Sequence, residues 1–261
     1  MKRSTTRTEK RWLVLSGLIW LGVWQLAAMA VDQQVLLPAP SAVAVRLCQL
    51  IVTAEFWATV GQSLLRITGG FGLGLVLGCV LAVFTVRWAW VAGLVRLPMS
   101  VIKATPVASF VILALVWLRG PMLSVFIAFL MVLPLVWSNV HQGLCSADEQ
   151  LLEAARVYHL SQWGVARAVY LPAVLPYFLS ACRVALGFAW KAGIAGEVIA
   201  IARGTIGEKL YESKAYLEMP DLFAWTVVIV LLSVGIEVLL SYVTQWAARR
   251  LGIAEEEKED V

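Results

Sequence analysis

Long apolar runs separated by short polar ones dominate this chain. Runs at 12–31, 62–86, 122–140, 178–202 and 222–246 carry few charges. Each is close to or above the roughly 20 residues that a helix needs to cross a hydrocarbon layer. A further run, 91–118, is long enough but is interrupted by Pro98, Lys103 and Pro106. Proline inside a membrane helix removes a backbone donor and tends to kink it. This run therefore reads as a lead-in followed by a span centred on 107–118. The pattern predicts an all-α integral membrane protein with about six transmembrane helices.

Composition supports that reading. The chain is 61% hydrophobic and 15% charged, with a mean hydropathy of +0.82, whereas soluble domains are near half apolar and a quarter charged. The net charge of +4 reflects loop orientation. No basic patch interleaved with aromatics is present, so no nucleic-acid partner is expected, and membrane lipid is the expected surroundings. Lys2, Arg3, Arg7, Lys10 and Arg11 precede the first run, and Arg249 and Arg250 follow the last. By the positive-inside rule and an even number of spans, both termini are expected in the cytoplasm of a bacterial inner membrane. The segment 203–221 would then face outward. The organisation expected is an N-terminal cytoplasmic segment 1–11, a transmembrane domain 12–250 and an acidic cytoplasmic tail 251–261 without fixed structure. The basic start, the apolar core and Ala28-Met29-Ala30 also resemble a cleavable signal, but Trp12, Trp20 and Trp24 suit an uncleaved membrane helix. The four cysteines, Cys48, Cys79, Cys145 and Cys182, lie far apart; the spacing offers no zinc site, and they read as small buried hydrophobes.

Two stripes of small residues foretell helix contacts. Gly70, Gly74, Gly78 and Ala82 recur every four residues in the second span, and Ala185, Ala189, Ala192, Gly196 and Ala200 share a face of the fifth. Small residues at this spacing let backbones approach closely.

The most informative polar segment is 144–172, between the fourth and fifth spans. Residues 148–159 are helical by propensity. At 100° per residue Leu151, Ala155 and Tyr158 share one face, with Glu149, Glu153 and Arg156 opposite. Ser161 is placed to cap a second short helix over 162–170, and Pro172 and Pro176 stand at the entrance to the fifth span. Two short amphipathic helices outside the membrane need a partner for their apolar faces: their own chain, the lipid surface or another protein.

Glu153-Ala154-Ala155, followed by Val169 and Leu171-Pro172, resembles the cytoplasmic motif of binding-protein-dependent ABC importer permeases. That motif reads EAA, three residues, Gly, nine residues, Ile, one residue, Leu-Pro. His159 stands where the family has glycine, at the turn between the two short helices, and Val169 replaces isoleucine. The resemblance extends to permeases of the sulfonate, taurine and nitrate type. It is carried by Leu36-Leu37-Pro38-Ala39-Pro40-Ser41, by Ser63-Leu64-Leu65-Arg66 with Gly70-Phe71, by Arg183-Val184-Ala185-Leu186-Gly187 with Trp190 and Gly196-Glu197, and by Gly204-Thr205-Ile206-Gly207. It implies a type I importer permease fold whose coupling loop docks into a separate ATPase. The implied residues of that contact are Glu153, Ala154, Ala155, Tyr158, His159, Val169, Leu171 and Pro172. It also implies two ATPase copies, a second permease copy, and an extracytoplasmic substrate-binding protein. ATP and Mg would be bound by the partner, and no cofactor by this chain. The sequence agrees, having no G-x-x-x-x-G-K-[ST] phosphate loop and no catalytic constellation. A non-catalytic subunit is therefore expected.

Arg183, Lys191 and Glu197 fall inside the fifth span, where ionisable groups usually face a protein interior or a water path. With Trp190 they are candidates for a translocation path or gate. For Arg183 the alternative is a side chain that snorkels to the cytoplasmic interface; for Lys191 and Glu197 the alternative is a structural interhelical pair, with Glu237 of the sixth span a candidate partner for either. The substrate class implied is a small solute: a sulfonate, taurine, nitrate or a vitamin precursor such as a pyrimidine. A secondary transporter or channel, or an intramembrane enzyme, are the rival classes. The first would need no docking loop, and the second would need a catalytic set within the spans.

Overall fold

The computed structural model describes residues 7–118 and 120–250, so the acidic tail 251–261 and most of segment 1–11 lie outside the described residues. Every regular element among them is helical. The helices are α1 (Arg7–Val31), α2 (Pro40–Ile51), α3 (Ala54–Arg87), α4 (Ala89–Ala104), α5 (Val107–Ala114) and α6 (Pro121–Cys145). They continue with α7 (Glu149–Val157), α8 (Gln162–Val165), α9 (Leu171–Ala200), α10 (Ile206–Ala215) and α11 (Met219–Arg250).

Four helical stretches among the described residues are long and apolar enough to cross a membrane: Ala54–Arg87, Met122–Cys145, Gln162–Ala200 and Met219–Trp246. A fifth crossing is available if α4 and α5 act together. α1, Arg7–Val31, has 25 residues, and Leu15–Val31 is its apolar stretch among the described residues. The helix directions account for the difference from six. Along α3, positions 70, 74 and 78 meet positions 125–129, 132 and 136–137 of α6 in rising order, so the two helices run parallel. The chain must therefore return across the bundle between Arg87 and Pro121, and α4 with α5 makes that return.

The return is not the straight span expected over 107–118. α4 and α5 are bent by 105°, and α5 has only eight residues, about 12 Å of helix. The cause is local. Pro106 drives Thr105 into an extended backbone, φ −84° and ψ 130°, which ends α4.

α6 is the central helix. Of its apolar window 61% is buried, against 17% for α11. The stripe Gly70, Gly74, Gly78 and Ala82 lies buried on α6, as the spacing predicted. A Cβ placed on Gly74 would stand 2.6 Å from Val132 Cβ, and one on Gly78 2.9 Å from Val136 Cβ. Of the second stripe, Ala185, Ala189, Ala192 and Gly196 are buried and Ala200 is half-buried. α9 runs antiparallel to α6, with Val174 and Tyr177 against Gly143 at one end and Gly196 against Ile127 at the other. The main core gathers Ile67, Val132, Val136, Ala189 and Trp190; a smaller one joins Val111 and Ala114 of α5 to Leu123, Ile127 and Ala192.

The loop 146–170 occupies one end of this bundle, and the start of α3, α10 and the start of α11 occupy the other. Ion pairs stitch the second end. Arg46 of α2 holds Asp221 of α11 through two nitrogens, and Lys209 of α10 bridges Glu55 at 2.7 Å and Glu212 at 3.3 Å. The Asp221 carboxylate raises the Arg46 guanidinium above its ordinary value, which keeps the charge fixed.

Candidate functional site

Two regions hold the residues singled out from the sequence. The first is the loop. Asp148 begins α7 by accepting a hydrogen bond from Gln150 N at 2.8 Å, which satisfies one of the free amides of the first turn. The helix ends in a left-handed residue, His159, with φ +51°. Tyr158 N donates to Ala154 O, and Leu160 N donates to Ala155 O at 2.9 Å. This is the six-to-one closure that glycine usually serves. Histidine enters the left-handed region with less strain than a branched residue, so the turn implied by the motif forms without its glycine.

Ser161 caps the next helix as expected, accepting from Gly164 N at 3.2 Å. That helix is not a separate unit over 162–170, however. α8 passes through a π-helical turn, Ala166–Tyr170, directly into α9. Leu171 N reaches back to Ala166 O across the widened turn. Pro172 has no N–H for the carbonyl of residue 168, and its ring crowds that carbonyl. Widening the turn relieves the clash without breaking the helix. The loop is thus one free helix, α7, followed by an extension of a membrane helix.

Burial divides the expected motif residues. Ala155 and Val169 are buried, whereas Glu153, Ala154, His159, Leu171 and Pro172 are exposed. The face that was to join Leu151, Ala155 and Tyr158 is split: Leu151 is 53% and Tyr158 79% exposed. Val157 at 74% and Trp163 at 84% are exposed in the same loop. Trp163 and Val157 were not singled out from the sequence. A tryptophan in the first turn of a capped polar helix was the available signal. Glu153 makes no ion pair among the described residues.

The second region is the far end of α9. Glu197 is fully buried. Its Oε2 accepts from Ser63 Oγ at 2.8 Å and from Gly207 N at 3.4 Å, and Ser63 Oγ in turn accepts from Ile206 N at 3.0 Å. Its Oε1 has no hydrogen-bond partner among the described residues. A side chain on Gly207 would run into Glu197 Cβ and stand 2.5 Å from its carbonyl carbon, which is why glycine occurs there. Thr205 caps α10 by accepting from Glu208 N at 3.2 Å, and Glu208 Oε2 accepts from Gly204 N at 2.6 Å. The chain leaves α9 through Ile201, a branched residue at φ +48°, held by Ala202 N donating to Glu197 O at 3.1 Å. Such a backbone stores about 1–3 kcal/mol. Ser63 and Gly207 each belonged to a resembling segment, but only the fold shows that they meet at Glu197.

Lys191 stands apart from Glu197, as helical spacing required. It is exposed and shares a cleft of about 290 Å³ with Arg183, Val184, Gly187, Phe188 and Glu237. Arg183 donates to Thr244 Oγ1 from Nε and Nη2, at 3.3 and 3.0 Å. Glu237, considered as a partner for either group, bridges neither Lys191 nor Glu197 among the described residues. Trp190 is buried and donates to Ile229 O at 3.2 Å, so it fastens α9 to α11 and does not line the cleft. No group of three potential metal ligands occurs among the described residues.

The described residues form a bundle of apolar helices with an ordered polar loop at one end. Residues 74–253 match the family described as the binding-protein-dependent transport system inner membrane component, and the chain belongs to that family. It is 29% identical over 244 residues to a probable ABC transporter permease protein of Brucella abortus, covering 90% of this chain and 95% of that one. It is 26% identical to the putative aliphatic sulfonates transport permease protein SsuC of Bacillus subtilis, covering 84% and 82% of the two chains. To the taurine transport system permease protein TauC of Escherichia coli it is 24% identical, covering 85% and 84%. Among solved structures, the MetNI methionine ABC transporter superposes with a TM-score of 0.53 at 18% identity, over 75% of this chain and 93% of that one. A bacterial alginate ABC transporter gives 0.52 at 13% identity over 96% and 98%. These likenesses establish the fold.

Proposed function

We propose that this chain forms the translocation path of an ATP-driven importer for a small solute and couples it to a separate ATPase through α7 and α8. Two ATPase copies would supply ATP and Mg chemistry, while this chain binds neither. A second permease copy would complete the path, a homodimer being the simplest assembly, and an extracytoplasmic binding protein would deliver the solute. Both termini lie in the cytoplasm on this reading. The relatives named for aliphatic sulfonates and taurine favour a small organic or inorganic anion; a vitamin precursor such as a pyrimidine is the other class considered.

The observation that carries the reading is the exposed apolar ridge of the loop. Leu151, Val157, Tyr158 and Trp163 stand out of a segment that is itself well capped. Apolar side chains that no element of their own chain covers mark a contact with protein or lipid; here they share a segment with Glu149, Glu153 and Arg156, which suits a protein partner. Ala155 of α7 is buried, and the exposed Glu153 offers a charge beside the apolar side chains.

Co-purification of the ATPase with wild-type, Glu153→Ala, Trp163→Ala and Ala155→Asp permeases tests this. Ala155→Asp adds volume and an unpaired charge at a buried site, a cost of about 3–5 kcal/mol. It should insert in the membrane yet lose the ATPase and uptake. Trp163→Ala should weaken retention, and Glu153→Ala should do so less. Normal ATPase retention and uptake by both Ala155→Asp and Trp163→Ala would remove the loop from the coupling contact.

A further inference from the structure

The cleft between α9 and α11 contains a charge arrangement that packing does not require. Arg183, Gly187 and Lys191 are spaced four residues apart on α9, so they lie in a row along one face. Gly187 leaves the floor between the two cations bare. Glu237 of α11 hangs over that gap: its Oε1 lies 3.5 Å from where a Cβ on Gly187 would be. The carboxylate thus faces the space between the two cations without bridging either within 4 Å.

The donors are largely unspent. Arg183 gives Nε and Nη2 to the hydroxyl of Thr244, a neutral acceptor that leaves its charge uncompensated. Lys191 has no hydrogen bond among the described residues and is exposed. Two cations and one carboxylate leave the cleft with one net positive charge. All three groups lie well inside apolar helices, where facing hydrocarbon is costly. A dry contact with another chain is disfavoured as well unless that chain brings a carboxylate, because it would bury an uncompensated charge. Water containing mobile anions meets the requirement without one.

Resting on the permease reading, we propose that this cleft is an anion-selecting stretch of the translocation path. Arg183 and Lys191 attract a small monovalent anion, such as a sulfonate or carboxylate. Glu237 is the tethered counter-ion with which the anion exchanges. A permanently attached carboxylate keeps the anion from resting too tightly, since passage requires that binding be weak enough to leave.

Charged thiol reagents read this directly. Val184, 49% exposed on the cleft wall, becomes the reporter as Val184→Cys after Cys48, Cys79, Cys145 and Cys182 are replaced by alanine. Phe188→Cys serves if that variant does not assemble. The ATPase-bound permease in lipid nanodiscs, open to solution on both faces, is treated with an anionic (sulfonatoethyl) or a cationic (trimethylammonioethyl) methanethiosulfonate. Each rate is divided by that reagent's rate on 2-mercaptoethanol. The anionic reagent should be favoured about tenfold, the lower end of what a cleft of one charge sign achieves. Lys191→Met and Arg183→Met should each bring the ratio towards one, and Glu237→Gln should raise it. A ratio at or below one overturns the proposal, as does labelling by neutral methyl methanethiosulfonate alone, which means a dry or lipid-facing cleft. Loss of the ATPase during purification would count against the permease reading. The labelling ratio would still be measured on the permease alone.

Discussion

The close approach of α3 and α6 makes a quantitative prediction from two adjacent glycines. Gly70 faces α6 and is buried, whereas Gly69 has no heavy atom within 4 Å of where its Cβ would be. A methyl on Gly70 would run into the carbonyl oxygen of Val125 and stand 2.9 Å from Ala128 Cβ and 3.1 Å from Phe129 N. Two of these neighbours are backbone atoms, which no rotamer change moves aside. Carbon contacts settle near 3.5–4.0 Å, so the helices must separate by roughly 1 Å. Overpacking of this kind costs about 1–3 kcal/mol. Both Gly69→Ala and Gly70→Ala gain the same helix propensity, about 0.8–1 kcal/mol, so that contribution cancels in the comparison. Gly70→Ala should therefore unfold more easily than Gly69→Ala by about 1–3 kcal/mol. At roughly 2–4 °C per kcal/mol for a chain of this size, thermal melts of the two variants in one detergent should separate by several degrees. Tryptophan fluorescence or loss of monodisperse protein can follow the melt. Equal melting temperatures, or a more stable Gly70→Ala, would refute the backbone contact between α3 and α6.

Three further outcomes follow from the geometry. His159→Gly should stabilise the permease by about 0.5–1 kcal/mol, because glycine adopts φ +51° without strain; an unchanged or lower melting temperature would speak against a strained turn. Glu197→Gln keeps an acceptor for Ser63 and Gly207 and should retain uptake, whereas Glu197→Leu strands both donors at about 1–3 kcal/mol each; equal stability of the two variants would show that the junction does not depend on these bonds. Glu55 raises the Lys209 ammonium above its ordinary 10.5, so the folded chain holds this proton more tightly than the unfolded one. That contribution, at most about 1 kcal/mol for a partly exposed pair, is complete below that ordinary value and lost as pH rises through the raised one. Lys209→Met should fall slightly below wild type in stability at pH 7 and converge with it as pH rises past the raised Lys209 value, which melts at a series of alkaline pH values would check.

The sequence by itself determined the class of the molecule and much of its packing. Apolar runs near 20 residues long leave few alternatives to membrane helices, since backbone polar groups in lipid must bond within their own segment. A four-residue glycine spacing fixes a face, because the helical period does so before any tertiary contact exists. Local caps were legible for the same reason: Ser161 bonds three residues away. Tertiary structure alone decided what depends on distant atoms. The 105° fold-back of α4 on α5 starts from Pro106, but a proline permits either a kink or a reversal, and only packing against α6 chooses between them. Periodicity put Leu151, Ala155 and Tyr158 on one face without saying what covers it; the fold buries Ala155 and leaves Leu151 and Tyr158 exposed, because a nine-residue helix has too little neighbouring surface to cover its apolar side. Glu197 meets Ser63 across 134 positions of sequence, and Glu237 hangs over Gly187 from another helix. Nothing in either neighbourhood along the chain encodes those meetings; they arise from how the helices cross.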